Sequence, residues 1–172
     1  MVYRFRIILD NDTDDDVFRD IEIRDTDTLE DLHNSITQAF GFDGIEMASF
    51  YVSDEDWNQG EEISMFDTGE SYDESRTMGE TPLNTVVKES QTKLIYVYDF
   101  FSMWTFYVEL AEIVEEVEGT NYPNLMFVYG QIPTEAPQKS FEAEDDFDDY
   151  DEFDDDFDVE DYENMDFDEN WN

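Results

Sequence analysis

The sequence predicts an α+β domain over residues 1–138, a mixed sheet wrapping one main helix in a β-grasp, ubiquitin-like opening, followed by a disordered acidic tail at 139–172. Three observations predict it. Two short segments near the start alternate apolar and polar residues with the period of a strand. A capped amphipathic helix follows them and leads into another strand. At Lys139 the composition changes abruptly to acids punctuated by aromatic rings.

Residues 2 to 9 place Tyr3, Phe5, Ile7 and Leu9 on one face and Arg4 and Arg6 on the other, as a half-buried strand requires. Residues 10 to 16, DNDTDDD, offer nothing to a core and read as a hairpin turn. The return strand is Val17 to Arg24, with Val17, Arg19, Ile21 and Ile23 on a shared face. Thr28 then caps a helix, with Asp31 three residues on as an acidic capping box. Leu29, Leu32, Ile36, Ala39 and Phe40 form its apolar stripe, and Gly41 supplies the left-handed stop. A strand at Ala48 to Val52 completes the hairpin, helix, strand order from which the β-grasp layout is inferred.

Residues 53 to 80 are polar and glycine-containing and predict an exposed excursion with a short strand at Ile63 to Phe66. Thr81-Pro82 starts a short helix anchored by Leu83, Val86 and Val87. Lys93 to Phe100 and Met103 to Ile113 carry the strongest strand character and predict a central hairpin. Leu125 to Tyr129, between Pro123 and Pro133, predicts a last strand at an edge.

Composition limits what such a chain can do. Its 172 residues suit one domain with an appendage, and 15 Phe and 10 Tyr supply enough ring area for a core. The formal charge is -41, and 18 of the 49 acids lie beyond residue 138. The body is therefore acidic in its own right, which disfavours direct binding to nucleic acid or to anionic membranes. With no cysteine, neither disulfides nor thiolate metal sites are available. The N-terminus lacks the apolar run of a signal peptide, and no segment approaches the roughly 18 apolar residues of a membrane span, so the expected compartment is the cytoplasm.

Several stretches, taken together, resemble the plasmid pRiA4b ORF-3-like family, also described as transposon passenger proteins. They are Val17-Phe18-Arg19-Asp20-Ile21, Thr28-Leu29-Glu30-Asp31-Leu32-His33, Ala39-Phe40-Gly41-Phe42, Phe50, and Tyr98-Asp99-Phe100 with Trp104 and Glu109. The resemblance spans residues 2 to 115. It implies an α+β fold and an association with mobile elements, and brings no established activity. Two departures stand out. The family pattern carries a histidine in the stretch that here reads Glu46-Met47-Ala48-Ser49-Phe50. It also carries glycine, two acids and, after the tryptophan, a histidine where this chain has Phe101, Ser102, Met103 and Thr105-Phe106. The resemblance implies that any chemistry of those histidines is lost here.

Candidate chemistry in the domain is sparse. His33, the single histidine, reads as a structural or surface residue, because one imidazole without thiolates cannot complete a zinc site. Asp10, Asp12 and Asp14 have the spacing of the first ligands of a calcium loop. Position six is Asp15 rather than glycine and position twelve is Ile21 rather than glutamate, so a solvated turn and no metal cofactor are expected. Asp99 lies between Tyr98 and Trp104 in an apolar hairpin, and Arg19 is an isolated cation on an apolar strand face. The four residues Arg19, Tyr98, Asp99 and Trp104 are the candidate polar constellation, read first as a structural Arg19–Asp99 pair and second as a ligand site.

In the tail, Phe147, Tyr150, Phe153 and Phe157 are spaced three, three and four apart, which on a helix confines them to an arc of about 120° among acids. The functional expectation is a non-enzymatic interaction protein that holds a basic protein through its acidic surface and this acid-aromatic tail. One alternative is a small-ligand or metal-dependent activity of the domain centred on Asp99 and Arg19. Another is nucleic-acid mimicry by the tail, whose charge spacing as a helix, roughly 2.8 Å, approaches that of a duplex.

Overall fold

The computed structural model of the chain describes residues 1–11, 15–66 and 76–137. The amino-terminal alternation forms β1 (Val2–Leu9), which turns into β2 (Phe18–Arg24). Helix α1 (Leu29–Phe40) follows. The Thr28 hydroxyl accepts from the Asp31 amide, the Asp31 carboxylate accepts from the Thr28 amide, and Gly41 closes the helix at φ 82°. Next come β3 (Ala48–Ser53) and β4 (Gln59–Ser64), then two 3-10 turns at Met78–Glu80 and Leu83–Thr85. The chain continues into β5 (Lys93–Tyr98), β6 (Trp104–Val114) and β7 (Asn124–Tyr129). The fourth strand thus lies earlier than the expected Ile63–Phe66. Met1–Pro137 forms one compact unit. Among the described residues no helix is long and apolar enough to cross a membrane.

The seven strands make a single sheet in the order β4-β3-β5-β6-β1-β2-β7. Every strand pairing in it is antiparallel. This corrects the α+β, β-grasp expectation of a mixed sheet wrapping a helix: the fold is sheet-dominated, with one helix lying on one face. A β-grasp needs the first strand to run parallel to a later neighbour, but β1 lies between β2 and β6 and is antiparallel to both. Alternation of apolar residues assigned each segment a face. It carried no information on which strands would be neighbours or in which sense they would run. The expectation of a disordered tail at 139–172 falls outside the described residues.

One face of the sheet carries the core. Phe5, Ile7, Ile21, Ile23, Phe50, Tyr96, Phe106 and Val108 are buried there against Leu29, Leu32, Ile36 and Phe40 of α1. Phe106 lies at the centre, its ring 4.7 Å from Phe40 and 6.0 Å from Tyr96. The opposite face is polar and organised by charge. Arg4 bridges Glu22 of β2 at 2.9 Å and Glu112 of β6 at 2.8 Å. Arg6 forks onto Asp20, and Lys93 meets Glu109 at 3.0 Å. Such exposed pairs are each worth only ~0.2–1 kcal/mol. Their main effect is to give each central cation acidic cross-strand neighbours, which favours this register over one that sets like charges opposite each other.

Phe106 has no exposed surface and no slack around it, so Phe106→Ala should lower the unfolding free energy by about 3–5 kcal/mol. Urea unfolding followed by circular dichroism checks this, and a loss under about 1 kcal/mol would contradict the packing described.

Candidate functional site

The end of α1 and the β5–β6 turn build a concave site that holds three of the four residues singled out in the sequence. Gly41 reverses the chain, and Phe42 follows with its amide held by the Thr37 carbonyl at 2.9 Å. Its ring stacks on Tyr98 at 4.6 Å and sits 5.2 Å from Trp104, so the three aromatics form one wall. The Tyr98 hydroxyl donates to Asp43 Oδ1 at 2.8 Å and accepts from the Gly44 amide at 3.0 Å. Burial, and then the Asp43 hydrogen bond, raise the Tyr98 phenol above its ordinary value. The Asp43 carboxyl is lowered, first by the Ile45 amide and then by Tyr98. Tyr98 is thus a fixed protonated donor and Asp43 a fixed anion.

Asp99 sits at the turn, in the left-handed region at φ 64°. Its Oδ1 accepts from the amides of Phe101 and Ser102 at 3.2 and 3.4 Å, and its own amide donates to the Met47 carbonyl at 2.7 Å. That last bond ties the β5–β6 turn to the loop after α1. Between them lies an open depression of about 450 Å³, lined by Phe42, Tyr98 and Trp104, by the carboxylates Asp43, Glu46 and Asp99, and by Ile132 to Thr134. No Lys or Arg is among its lining residues. Ile45, Met47, Phe100, Phe101 and Met103 stand exposed on the same two loops, Phe101 almost completely at 97%.

Of the four residues singled out in the sequence, the structure brings Tyr98, Asp99 and Trp104 together and leaves Arg19 elsewhere. Arg19 is buried on β2. Its guanidinium donates to the carbonyls of Ala39 (3.2 Å), Phe18 (2.9 Å), Tyr129 and Gly130 (both 3.1 Å) and lies 4.7 Å over the Phe40 ring. The expected Arg19–Asp99 pair is therefore not made. The cation instead joins β2, the end of α1 and the turn after β7, because four carbonyls satisfy its donors where a carboxylate was anticipated. Phe42, Asp43 and Glu46 were not singled out as site residues. The signal was the Gly41-Phe42-Asp43-Gly44 run, in which two left-handed glycines fold the helix exit back over the sheet.

His33 lies in the core with Nδ1 2.6 Å from the Tyr96 hydroxyl, and burial lowers its pKa. Asp10 sits at the end of β1, where its carboxylate accepts from the Tyr107 hydroxyl at 3.3 Å, while Asp12 and Asp14 fall outside the described residues. So do Phe147, Tyr150, Phe153 and Phe157. Among the described residues no cluster of three His, Asp or Glu side chains is placed to hold a metal ion. The depression instead sets an aromatic wall beside carboxylates.

Three comparisons with known proteins bear on this chain. A family model described as Plasmid pRiA4b ORF-3-like protein matches residues 1–171. The crystal structure of a protein of unknown function from Methanosarcina mazei Go1 superposes with a TM-score of 0.66 at 19% identity, covering 86% of this chain and 79% of that one. At that identity the likeness speaks for the fold alone. No curated protein matches.

Two outcomes follow. Arg19→Met strands up to four carbonyls and should cost at least about 2 kcal/mol in urea unfolding; Arg19→Lys should restore little, since an ammonium lacks the planar fork. The folded-state pKa of His33 lies below its unfolded value of about 6.5. Its stabilising contribution is therefore complete above that value and lost as pH falls through the folded pKa. The stability gap between wild type and His33→Gln, measured from pH 7.5 to 5, should narrow on acidification; a constant gap would contradict a neutral buried imidazole.

Proposed function

This chain belongs to the plasmid pRiA4b ORF-3-like family, and from that premise we propose that it works as a non-enzymatic interaction protein whose partner is a basic protein. The observation that carries the reading is the carboxylate-rimmed aromatic depression: Asp43, Glu46 and Asp99 surround the wall of Phe42, Tyr98 and Trp104 with no cation among its lining residues. A Lys or Arg side chain entering it meets anions at the rim and ring faces within, a combination worth ~0.5–2 kcal/mol per seated cation. The exposed Ile45, Met47, Phe100 and Phe101 beside it add apolar contact for the residues flanking that cation.

The charge of the rest of the body supports the same partner. Arg4, Arg6, Arg24, Arg76 and Lys93 each lie within ion-pair distance of a carboxylate, and Arg19 is buried. With 49 acids against 8 bases, most carboxylates have no cation to answer them, so a basic molecule is steered toward the body from a distance. In this reading the acid-aromatic segment 139–172, with Phe147, Tyr150, Phe153 and Phe157, extends the same chemistry.

Calorimetric titration of the full chain with a synthetic Lys-rich peptide carrying interspersed Leu tests the reading. Affinity should fall as NaCl rises from 50 to 300 mM. The combined variant Asp43→Asn, Glu46→Gln, Asp99→Asn should weaken binding roughly fivefold or more, from three rim contacts at about 0.3–1 kcal/mol each. A chain ending at residue 138 measures the share contributed by the remainder. Equal affinity of the wild type and the triple variant would remove the depression from the account.

A further inference from the structure

The two edges of the sheet are built differently. The β4 edge carries Glu61 and Glu62 on an exposed strand, the kind of charge that discourages another strand from pairing there. The β7 edge carries none: Leu125, Met126, Phe127, Val128 and Tyr129 are all uncharged and each about half exposed. An edge strand leaves alternate backbone N–H and C=O groups pointing away from the sheet, so among the described residues β7 presents an open ladder bordered by apolar side chains.

A groove lies beside that ladder. It measures about 480 Å³ and runs between β7 and the exposed side of α1, lined by Asp31, Asn34, Gln38, Ala39, Asn124 and Leu125 among others. The register explains how the strand addresses it. Leu125 pairs with the inward Ile21, and Val128 with the buried Arg19. Phe127 and Tyr129 pair across to Asp20 and Phe18 on the opposite face, with Met126 as the extra residue of a bulge. Tyr129 and Phe127 lie 5.2 and 5.9 Å from the Phe18 ring, which fixes that side of the strand. An added strand would therefore send alternate side chains into the groove and over the aromatic face, the arrangement by which an extended peptide is read at a sheet edge beside a helix.

We propose that β7 is a docking edge for an extended segment of a basic protein, which pairs with it as an eighth strand and places alternate side chains in the groove against α1. This rests on the reading above for the charge of the occupant alone, and uses different residues. Charge complementarity selects the occupant. The groove holds Asp31 and no Lys or Arg among its lining residues. Since Asp20 and Glu22 beside β7 are already bridged by Arg6 and Arg4, it is the net charge of the chain, -41, that selects a cationic occupant. A second copy of the chain would bring a formal charge of -41 against an equal one, so pairing of β7 with itself is opposed.

The test uses the full chain and a synthetic eight-residue peptide alternating Lys with Val, with a Glu-for-Lys peptide as control. Amide hydrogen exchange followed by NMR should slow within Asn124–Tyr129 on adding the basic peptide, and less so in high salt. Leu125→Lys and Val128→Lys, at half-exposed positions, should weaken binding tenfold or more while leaving circular dichroism unchanged. The variant altered at Asp43, Glu46 and Asp99 should keep the β7 protection. Binding without protection of β7 overturns the docking edge and leaves the depression standing; no binding of the basic peptide at any salt overturns both. Equal protection by the acidic peptide, or protection that rises with protein concentration alone, overturns the basic occupant in favour of another peptide class or of a second copy.

Discussion

The fold depends on one long-range pairing, that of β1 with β6. Val2 lies opposite Val114 and Leu9 opposite Phe106, so the first residues of the chain are held by residues from beyond its middle. This pairing places β1 inside the sheet rather than at its edge, and everything the sequence wrote into β1 then acquires a partner. Phe5 and Ile7 are covered by α1, while Arg4 reaches carboxylates on strands to either side. Without β6 the amino-terminal hairpin would be an isolated two-stranded ribbon, which is marginal in water. The entropic cost of closing so long a loop is met by the longest strand of the sheet, eleven residues from Trp104 to Val114.

That central pairing also decides the electrostatics. The cations of β1 are set between acidic strands, Arg24 of β2 and Lys93 of β5 find Glu116 and Glu109, and Arg19 is met by carbonyls. These cations are therefore engaged within the sheet, while no Lys or Arg lines the depression. Near the depression this has a local consequence. Asp43 is held anionic by an amide and a phenol rather than by a base, and so remains available to an incoming cation. A carboxylate that already had an internal salt bridge would offer a partner much less.

How much of this could be seen in the sequence differs by level. The strand and helix segments were legible because each depends on local signals: alternation at Tyr3, Phe5, Ile7 and Leu9, the Thr28–Asp31 box, the stop at Gly41. The arrangement of strands was not, since alternation looks the same whether β1 is flanked by parallel or antiparallel neighbours. Arg19 shows the limit for side chains. An isolated cation on an apolar face implied an anionic partner, but backbone carbonyls at Ala39, Tyr129 and Gly130 answer it, and backbone partners leave no trace in residue identity. Of the site, Tyr98, Asp99 and Trp104 were visible as polar and aromatic residues of one hairpin. Phe42 and Asp43 were not, because their placement depends on two left-handed glycines turning the helix exit back over the sheet.

The character of the depression follows in part from what packs behind its aromatic wall. After Trp104 the chain reads Thr105-Phe106, and Phe106 is fully buried against Phe40, Phe42 and Tyr96. The phenyl ring of Phe106 fills the space behind Phe42 with apolar contact. What remains polar is the rim, where Asp43, Glu46 and Asp99 face solvent around an aromatic wall. A charged margin around an aromatic wall is the arrangement on which the proposed grip on a cationic side chain rests. Phe101 and Met103 stand exposed on the adjoining turn, so apolar contact surface lies beside those carboxylates.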